Sequence, residues 1–461
     1  MIEGLKPYAE YKESGQKWLG AVPVHWSVLP NRALFDEVKD RNHPKEEMLS
    51  VTITRGIVRQ KALLDGSSKK DGSNLNKGAY KFVQPNDIAY NKMRAWQGAL
   101  GASTLRGIIS PAYVVMRPRK EANPWFYHNL YRTPSFSKEA ERWSYGITSD
   151  MWSLRPEHFK VIGSVLPPPD EQAAIVRFLD HANWKIDGFI RAKRKLIGLL
   201  NEQKQAIILR AVTRGLNPDV PLKPSGIPWF GDIPNHWQIV RNMALFAHRV
   251  ESGIPGLPVL QVSLRSGITA EELDQFGRPK RLIADATKYK RIHQDDMAYN
   301  TMRMWQGAVG VSPSDGLVSP AYVVLKPRKD TCPEFYDFIF HTEVYKQQVN
   351  RQSTGIVSDR NRLYWDSFKQ MPNLLLPLAE QEEIVAYIAK ETAAITTAIA
   401  RTEREIALMQ EYRTRLTADL VTGKLDVREA AARLPAPPAA AIDSEMAEEA
   451  LLEEGETEAS E

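Results

Sequence analysis

The sequence predicts an α+β protein built from two tandem mixed α/β domains and two long helices. When the chain is shifted by 209 residues, 22 of the 34 positions in 87–120 are identical to those in 296–329. Within each copy, short runs of β-forming residues come first, and a proline-free stretch of helical periodicity follows. The two helices are therefore expected to pack together as a coiled coil that separates the domains, and the duplication gives the chain a pseudo-twofold symmetry.

The first predicted domain covers residues 1–165. Its β-type runs include MLSVTI, PAYVVMRP and VIGSVLP, and turn-forming Gly, Pro, Asn and Asp separate them. It also contains the cluster YNKMRAWQGALG at 90–101, which returns as YNTMRMWQGAVG at 299–310. A mixture of Trp, Met, Gln and Arg that is kept in both copies indicates a shared task.

The first long helix is predicted over 166–215. Apolar residues recur every three or four positions at Leu179, Ala182, Ile186, Ile190, Ile197, Leu200, Ile207 and Ala211. The second copy repeats this register at Ile388, Ile395, Ile399, Ile406, Met409, Leu416 and Leu420, and polar residues interrupt both stripes, Lys193 and Lys204 against Thr402 and Arg413. Two helices of this kind, each roughly 63 Å long at about 1.5 Å per residue, are expected to pack together.

The second copy supplies a domain over 216–375 and a helix over 376–427. SGIPWFGDIPNHW at 225–237 matches SGQKWLGAVPVHW at 14–26, and Glu380-Gln381 matches Glu171-Gln172. The remaining residues, 428–461, are rich in Ala, Pro and Glu, so we predict an acidic disordered tail.

Charge is distributed unevenly along the 461 residues. The formal net charge is +5, but all 61 Lys and Arg precede position 434 while 9 of the 56 acids follow it, so residues 1–433 carry +14. A basic body suggests a polyanionic partner, although solubility alone also explains excess charge. No apolar run approaches the roughly 20 residues of a membrane span, and the start lacks an apolar signal core, so we expect a cytoplasmic protein.

No catalytic or metal-binding constellation can be defended from the sequence. A nucleotide-binding GxxxxGK[ST] loop is missing, and PPPD at 167–170 is not the Asn/Asp-Pro-Pro-aromatic motif of a methyltransferase. Asp170 and Glu202 lie 32 positions apart on one predicted helix, about 48 Å, and cannot share a metal. His25 and His236 beside tryptophans look like packing corners, and the single cysteine, Cys332, cannot form an internal disulfide. The chain is predicted not to be an enzyme.

Four motifs resemble those of one known family, the specificity (S) subunit of type I restriction–modification enzymes. They are YKESGQKWLGAVPVHW from Tyr11, the helix starts PPPDEQ and PLAEQ, and VTGKLDV at 421–427. The resemblance implies two target-recognition domains that are separated by an antiparallel pair of helices. Each domain is expected to read one half of a split double-stranded DNA site. It further implies partnership with two methyltransferase (M) subunits and with restriction/translocase (R) subunits. S-adenosylmethionine, ATP and Mg are expected on those partners, and this chain is expected to bind no cofactor.

Candidate DNA contacts fall into a shared set and a divergent set. Arg and Gln form bidentate hydrogen bonds with guanine and adenine edges, which nominates Arg94, Gln97, Arg303 and Gln306. Because both copies keep these residues, they should hold the backbone, read a base common to both halves, or pack the fold. Trp96 and Trp305 are expected in the core.

Discrimination between half-sites should lie where the copies differ. Residues 57–79 and 268–288 lack similarity, and a solvated loop is the alternative reading; their candidates are Lys61, Lys69, Lys70, Arg278, Lys280 and Arg281. Within the shared region the differing pairs are Lys92 with Thr301, Ala95 with Met304, and Arg106 with Asp315. GITSD at 146–150 and GIVSD at 355–359 suit turns and helix caps, and Arg360 and Arg362 add phosphate-contact potential.

A second class of function fits the same pattern. A stand-alone DNA-binding regulator, or an architectural adaptor that recruits proteins through its helices, would also carry basic domains and long interrupted heptads. Co-purification separates the two, because a specificity subunit requires a bound methyltransferase subunit in about two copies and a regulator does not.

Overall fold

The computed structural model describes residues 5–64, 77–146, 152–264, 267–270, 285–355 and 361–435. The helices of the first half are α1 Asn31–Leu34, α2 Lys61–Leu64, α3 Pro124–Tyr131, α4 Pro134–Arg142, α5 Pro156–Val161 and α6 Pro169–Arg214. The strands are β1 Tyr11–Glu13, β2 Ala21–Pro23, β3 Ser27–Pro30, β4 Phe35–Val38, β5 Leu49–Thr52, β6 Gly56–Arg59, β7 Lys81–Val83, β8 Ile88–Asn91, β9 Leu100–Ala102, β10 Gly107–Ile109, β11 Tyr113–Pro118 and β12 Gly163–Leu166.

The second half repeats this order of elements. Its strands are β13 Leu222–Pro224, β14 Asp232–Pro234, β15 Gln238–Arg241, β16 Phe246–Arg249, β17 Gln261–Ser263, β18 Gly267–Thr269, β19 Lys290–Ile292, β20 Met297–Asn300, β21 Val309–Val311, β22 Gly316–Val318, β23 Tyr322–Pro327 and β24 Pro372–Leu375. Its helices are α7 Asn242–Leu245, α8 Pro333–Phe340, α9 Glu343–Gln352, α10 Trp365–Phe368 and α11 Leu378–Val421, followed by α12 Arg428–Ala432.

The chain divides into two compact units. Within the described residues, unit 1 comprises 5–193 and 404–435, and unit 2 comprises 194–403. Each unit therefore holds one α/β domain, the start of the long helix that follows that domain, and the end of the other long helix. Among the described residues no helix has the length and apolarity of a membrane span.

Each unit is organised around a four-stranded antiparallel sheet, ordered β4-β11-β8-β9 in unit 1 and β16-β23-β20-β21 in unit 2. Among the described residues, four two-stranded sheets accompany each four-stranded sheet. Adding twelve to the strand numbers of each pairing in unit 1 gives a pairing in unit 2. All these pairings of named strands are antiparallel, as in an α+β fold. The duplication read from the sequence is thus a duplication of topology.

Local sequence explains where the short helices begin. Asn123 accepts hydrogen bonds from two backbone N–H groups of α3, and proline occupies the first helical position, where no N–H is needed. Thr133 caps α4 in the same way, and Thr342 caps α9. α3 buries an aromatic face that contributes Phe126 and Tyr131 to the core of unit 1. α8 does the same in unit 2 with Phe335 and Tyr336.

In unit 1 the start of α6 pairs with the end of α11 in antiparallel fashion. Lys193 Nζ lies 2.7 Å from Glu405, and Asp187 accepts a hydrogen bond from Arg413. The residue on α11 that makes the contact therefore moves towards the C-terminus as the residue on α6 moves towards the N-terminus. Leu179 and Ala182 share a buried core with Leu416 and Leu420. The predicted stripe is therefore buried here, and its polar interruptions at 193 and 413 have charged partners.

In unit 2 the end of α6 pairs with the start of α11. Ile208 and Ala211 share a core with Ile384 and Ile388, and Lys204 Nζ donates to the Thr396 hydroxyl at 3.1 Å. The coiled-coil pairing predicted for the two helices is confirmed in both units.

The predicted tail is wrong at its start. Residues 428–432 form α12, and Ala431 is buried against the core of unit 1, with Leu434 packed beside it. Arg428 lies over the Tyr8 ring and pairs with Asp426, so apolar and ionic contacts hold this segment in place. Residues 436–461 lie outside the described part of the chain.

Candidate nucleic-acid interface

The repeated cluster of unit 1 is a tight turn between β8 and β9. The Asn91 side chain accepts from Met93 N–H, and residues 95–97 form one turn of 3₁₀ helix. Gly98 then adopts φ of 91°, a left-handed conformation that favours glycine, and Ala99 N–H returns to the Arg94 carbonyl. Asn91, Gly98 and Ala99 therefore shape the backbone of the turn that carries the candidate contacts Arg94 and Gln97.

Unit 2 builds the same turn with the same bonds. Asn300 accepts from Met302 N–H, a 3₁₀ turn covers 304–306, Gly307 has φ of 95°, and Ala308 N–H donates to Arg303. Conservation of this backbone between the copies means that the cluster is first of all a rigid platform for side chains.

The tryptophans pin that platform. The Trp96 indole N–H donates to the Met93 carbonyl at 2.9 Å, and Trp305 does the same to Met302 at 3.0 Å. Both rings are half-buried against the core of their own unit rather than fully enclosed. Trp96 additionally meets Trp152 edge-on at 5.7 Å. The expectation that both tryptophans lie in the core is therefore met only in part.

Arg94 and Gln97 are exposed on this turn, as are Arg303 and Gln306. Burial raises the pKa of Tyr113, and the positive charge of Arg94 acts against that rise. In unit 2 burial likewise raises the pKa of Tyr322, and Arg303 is again among the opposing influences. Within each unit, the Arg and Gln are thus exposed on the same turn, and the Arg lies close to a tyrosine.

Three residues of the differing pairs inside the cluster are buried. Ala95 and Met304 are buried, so their exchange changes only core packing. Thr301 is 8% exposed, and its hydroxyl donates to the Ala321 carbonyl at 3.0 Å, so it offers no free donor to a base. Thr301 was a predicted contact, and burial removes it; Lys92 at the matching place is half-buried.

Arg106 is exposed but already paired. Its guanidinium donates to Glu46 at 2.7 and 3.0 Å and lies over the Phe82 ring at 5.1 Å. An exposed ion pair of this kind is weak because water and salt screen it, so a phosphate can compete for Arg106. Arg362, which follows α9, is also exposed, and its backbone forms an isolated antiparallel β-bridge with Thr354.

The divergent segments 57–79 and 268–288 each begin in the second strand of an equivalent β-hairpin. β5 pairs with β6 in unit 1 and β17 with β18 in unit 2, and α2 places Lys61 at the surface directly after β6. The remaining candidates lie outside the described residues: Lys69, Lys70, Arg278, Lys280, Arg281 and Arg360. Most residues of the two predicted caps, GITSD and GIVSD, lie outside them as well.

The Glu-Gln pair that opens each long helix is a joint between helix and domain. In unit 1 the carboxylate of Glu171 is 2% exposed and accepts from the Trp26 indole at 3.0 Å and from the Tyr8 hydroxyl. His25 Nε2 lies 2.8 Å from its second oxygen. In unit 2, the Glu380 carboxylate accepts from the Trp237 indole N–H at 3.0 Å, and His236 Nε2 lies 2.8 Å from its second oxygen. His25 and His236, which were predicted as packing residues, therefore also contact the glutamate that opens the long helix.

The glutamines complete the joint. Gln172 accepts from Asn123 N–H at 2.8 Å, and its amide donates to the carbonyls of Glu121 and Pro167. Gln381 repeats these bonds with Cys332, Asp330 and Leu376. The sequence showed that the Glu-Gln pair is repeated. Several hydrogen bonds of the two glutamines, however, join residues that are 49 or more positions apart, so no local pattern revealed these contacts.

One group of surface residues was not anticipated. Arg132, Ser137 and Lys138, from α4 and the turn before it, line a cavity beside Trp96 and Gln97. The available signal was the repeat alignment, because RTPSFSK at 132–138 faces HTEVYKQ at 341–347 and only one of those seven residues is shared.

Comparison with known proteins supports the architecture. No protein-family model and no curated protein matches this sequence. A chain from work on complex assembly and conformational transition of the type I R-M system aligns at a TM-score of 0.61 and 14% identity, over 87% of this chain and 98% of that one. The HsdS subunit from Thermoanaerobacter tengcongensis aligns at 0.42 and 15% identity, over 87% of this chain and 98% of that one. A Type-I restriction-modification S subunit from M. genitalium aligns at 0.33 and 11%, over 86% and 96%. From the first alignment, this chain has the fold of a type I R-M chain.

Proposed function

We propose that this chain is the sequence-specific DNA-recognition subunit of a type I restriction–modification complex. Each domain reads one half of a bipartite duplex target, and the paired helices dock two methyltransferase subunits, to which restriction subunits are added. The chain itself is non-catalytic, and S-adenosylmethionine, ATP and Mg bind to the partner subunits.

One observation carries this proposal: the same exposed Arg and Gln stand on the same rigid turn in two copies of one domain. These side chains suit phosphates or guanine and adenine edges. Duplication of a DNA-reading surface suits a target with two halves. The fold shared with a type I R-M chain and the basic body of residues 1–433 support the same conclusion.

The proposal is tested by expressing the full chain with a methyltransferase subunit from the same genome. We expect the two to co-purify with about two methyltransferase copies per chain. Mapping methylated bases should reveal a bipartite motif that disappears when this chain is deleted and returns on complementation. A chain that purifies alone and leaves the methylation map unchanged, while altering transcription, would identify a stand-alone regulator instead.

A further inference from the structure

A cavity of about 480 Å³ opens beside the repeated turn of unit 1. The lining residues are Ile53, Trp96, Gln97, Gly98, Arg132, Pro134, Ser137 and Lys138. Gln97 and Lys138 are exposed at its edge, and no acidic side chain belongs to this lining. A Cβ atom built on Gly98 would meet no atom of the described residues within 4 Å, so the space above the turn is open.

The guanidinium of Arg132 forms the inner wall. It donates to the Leu100 and Ile53 carbonyls at 2.8 Å each and to the Thr54 carbonyl, which ties the β5–β6 hairpin to the turn. Burial lowers the pKa of Arg132, and among the described residues no carboxylate acts against that shift. A half-buried positive charge that is bonded only to neutral carbonyls attracts an anion.

Unit 2 closes the corresponding space. At its turn, a Cβ atom on Gly307 would lie 3.4 Å from Lys346 Cδ and 3.5 Å from the His341 ring. Lys346 Nζ pairs with Glu343 at 2.5 Å, so its charge is already balanced. The counterparts of Glu343 and Lys346 in unit 1 are Pro134 and Ser137, which are too short to fill the space.

We propose that the cavity lined by Gln97, Arg132, Ser137 and Lys138 binds one backbone phosphate of duplex DNA, and that unit 2 has no equivalent site. The lysine supplies a mobile cation, the serine and glutamine supply hydrogen-bond donors, and Arg132 supplies a fixed charge behind them. The phosphate anchors the β5–β6 hairpin, from which the divergent segment of unit 1 begins. This assignment rests on the proposed DNA-recognition function.

The first test removes the mobile cation in the full-length chain. Lys138→Gln introduces the residue that unit 2 has at this place, Gln347. Binding to a mixed-sequence DNA duplex is measured by fluorescence anisotropy across a salt series. Loss of one phosphate contact lowers the magnitude of the log–log salt slope by about 0.9. The matched control, Lys346→Gln, removes an already paired lysine and should leave the slope at the wild-type value.

The second test fills the cavity without changing net charge. Pro134→Glu combined with Ser137→Lys transplants the ion pair of unit 2 above Gly98, at positions where α9 already tolerates both residues. We expect the same reduction of about 0.9 in slope, because the site is blocked although the total charge is unchanged. A general charge effect predicts no reduction for this variant.

The outcomes separate the two levels of inference. If the wild-type chain binds DNA with a steep salt slope but Lys138→Gln and the cavity-filling variant match it, the phosphate site is refuted and DNA recognition stands. Equal reductions for Lys138→Gln and Lys346→Gln would also refute the site, since the effect would then be non-specific. A wild-type affinity that does not depend on salt would refute the proposed function itself.

Discussion

Replacing Glu171 by alanine should destabilise unit 1 more than Glu380→Ala destabilises unit 2. The two carboxylates hold the same corner in each copy, but their surroundings differ. Glu171 is 2% exposed and accepts from two buried donors, the Trp26 indole and the Tyr8 hydroxyl. Glu380 is 24% exposed and accepts from one buried donor, the Trp237 indole. Each variant therefore leaves a different number of buried donors without an acceptor.

The magnitude follows from that difference. A buried donor left without an acceptor costs about 1–3 kcal/mol, so Glu171→Ala should cost about 2–6 kcal/mol and Glu380→Ala about 1–3 kcal/mol. The contacts of His25 and His236 are partly exposed in both units and contribute little to the contrast. At roughly 2–4 °C per kcal/mol for a unit of this size, the two melting shifts should differ by about 2–12 °C.

Scanning calorimetry of the full chain provides the assay, with each variant moving the transition of its own unit because multidomain chains need not melt in one step. Glu171→Gln serves as the control. It keeps an oxygen for the Trp26 indole and should recover part of the loss. Equal shifts for the two alanine variants, or a larger shift for Glu380→Ala, would refute the view that buried donors set the strength of this joint.

Three further predictions concern specificity, assembly and pH. Exchanging residues 57–79 for 268–288 should change one half of the methylated motif and leave the other half intact; an unchanged motif from an active chimera would place recognition elsewhere. A fragment of residues 1–215 should dimerise through its long helix, as sedimentation at tens of micromolar would show, and a strict monomer would contradict this. Burial lowers the pKa of His128 to about 3 and raises that of Asp337 to about 6. Unit 1 should therefore lose stability as pH falls from about 6.5 towards 3, and unit 2 as pH rises from about 4 through 6, and asparagine at either position should flatten the respective melting-temperature profile.

The fragment prediction gains detail from the helix contacts. Lys204 is the repeat counterpart of Arg413, so in an antiparallel homodimer it would face Asp187 of the second copy and not another cation. The homodimer is therefore expected to place no cation against Lys204. Lys193 would lose Glu405, whose counterpart is Leu196. Leu196→Glu should restore that ion pair and tighten the dimer, with Leu196→Gln as the uncharged control.

The duplication, the two long helices and the packing of their apolar stripes against each other were predictable from the sequence alone. Periodicity carries this information because a helix repeats every 3.6 residues, so the buried face is written into the spacing of residues such as Leu179 and Ala182. It also nominated Arg94 and Gln97, which the structure places at the surface. Similarity between copies, however, says nothing about exposure, and Thr301 was nominated beside them although it is buried.

Contacts between residues that are distant in the sequence could not be predicted from it. Tyr8 and Glu171 are 163 positions apart, so no local pattern relates them, and only folding brings the hydroxyl to the carboxylate. The cavity beside Gly98 is open because the side chains at 134 and 137 are short, while in unit 2 Lys346 lies over Gly307. Whether such a space is filled depends on side-chain volume and direction in three dimensions, which spacing along a chain does not encode.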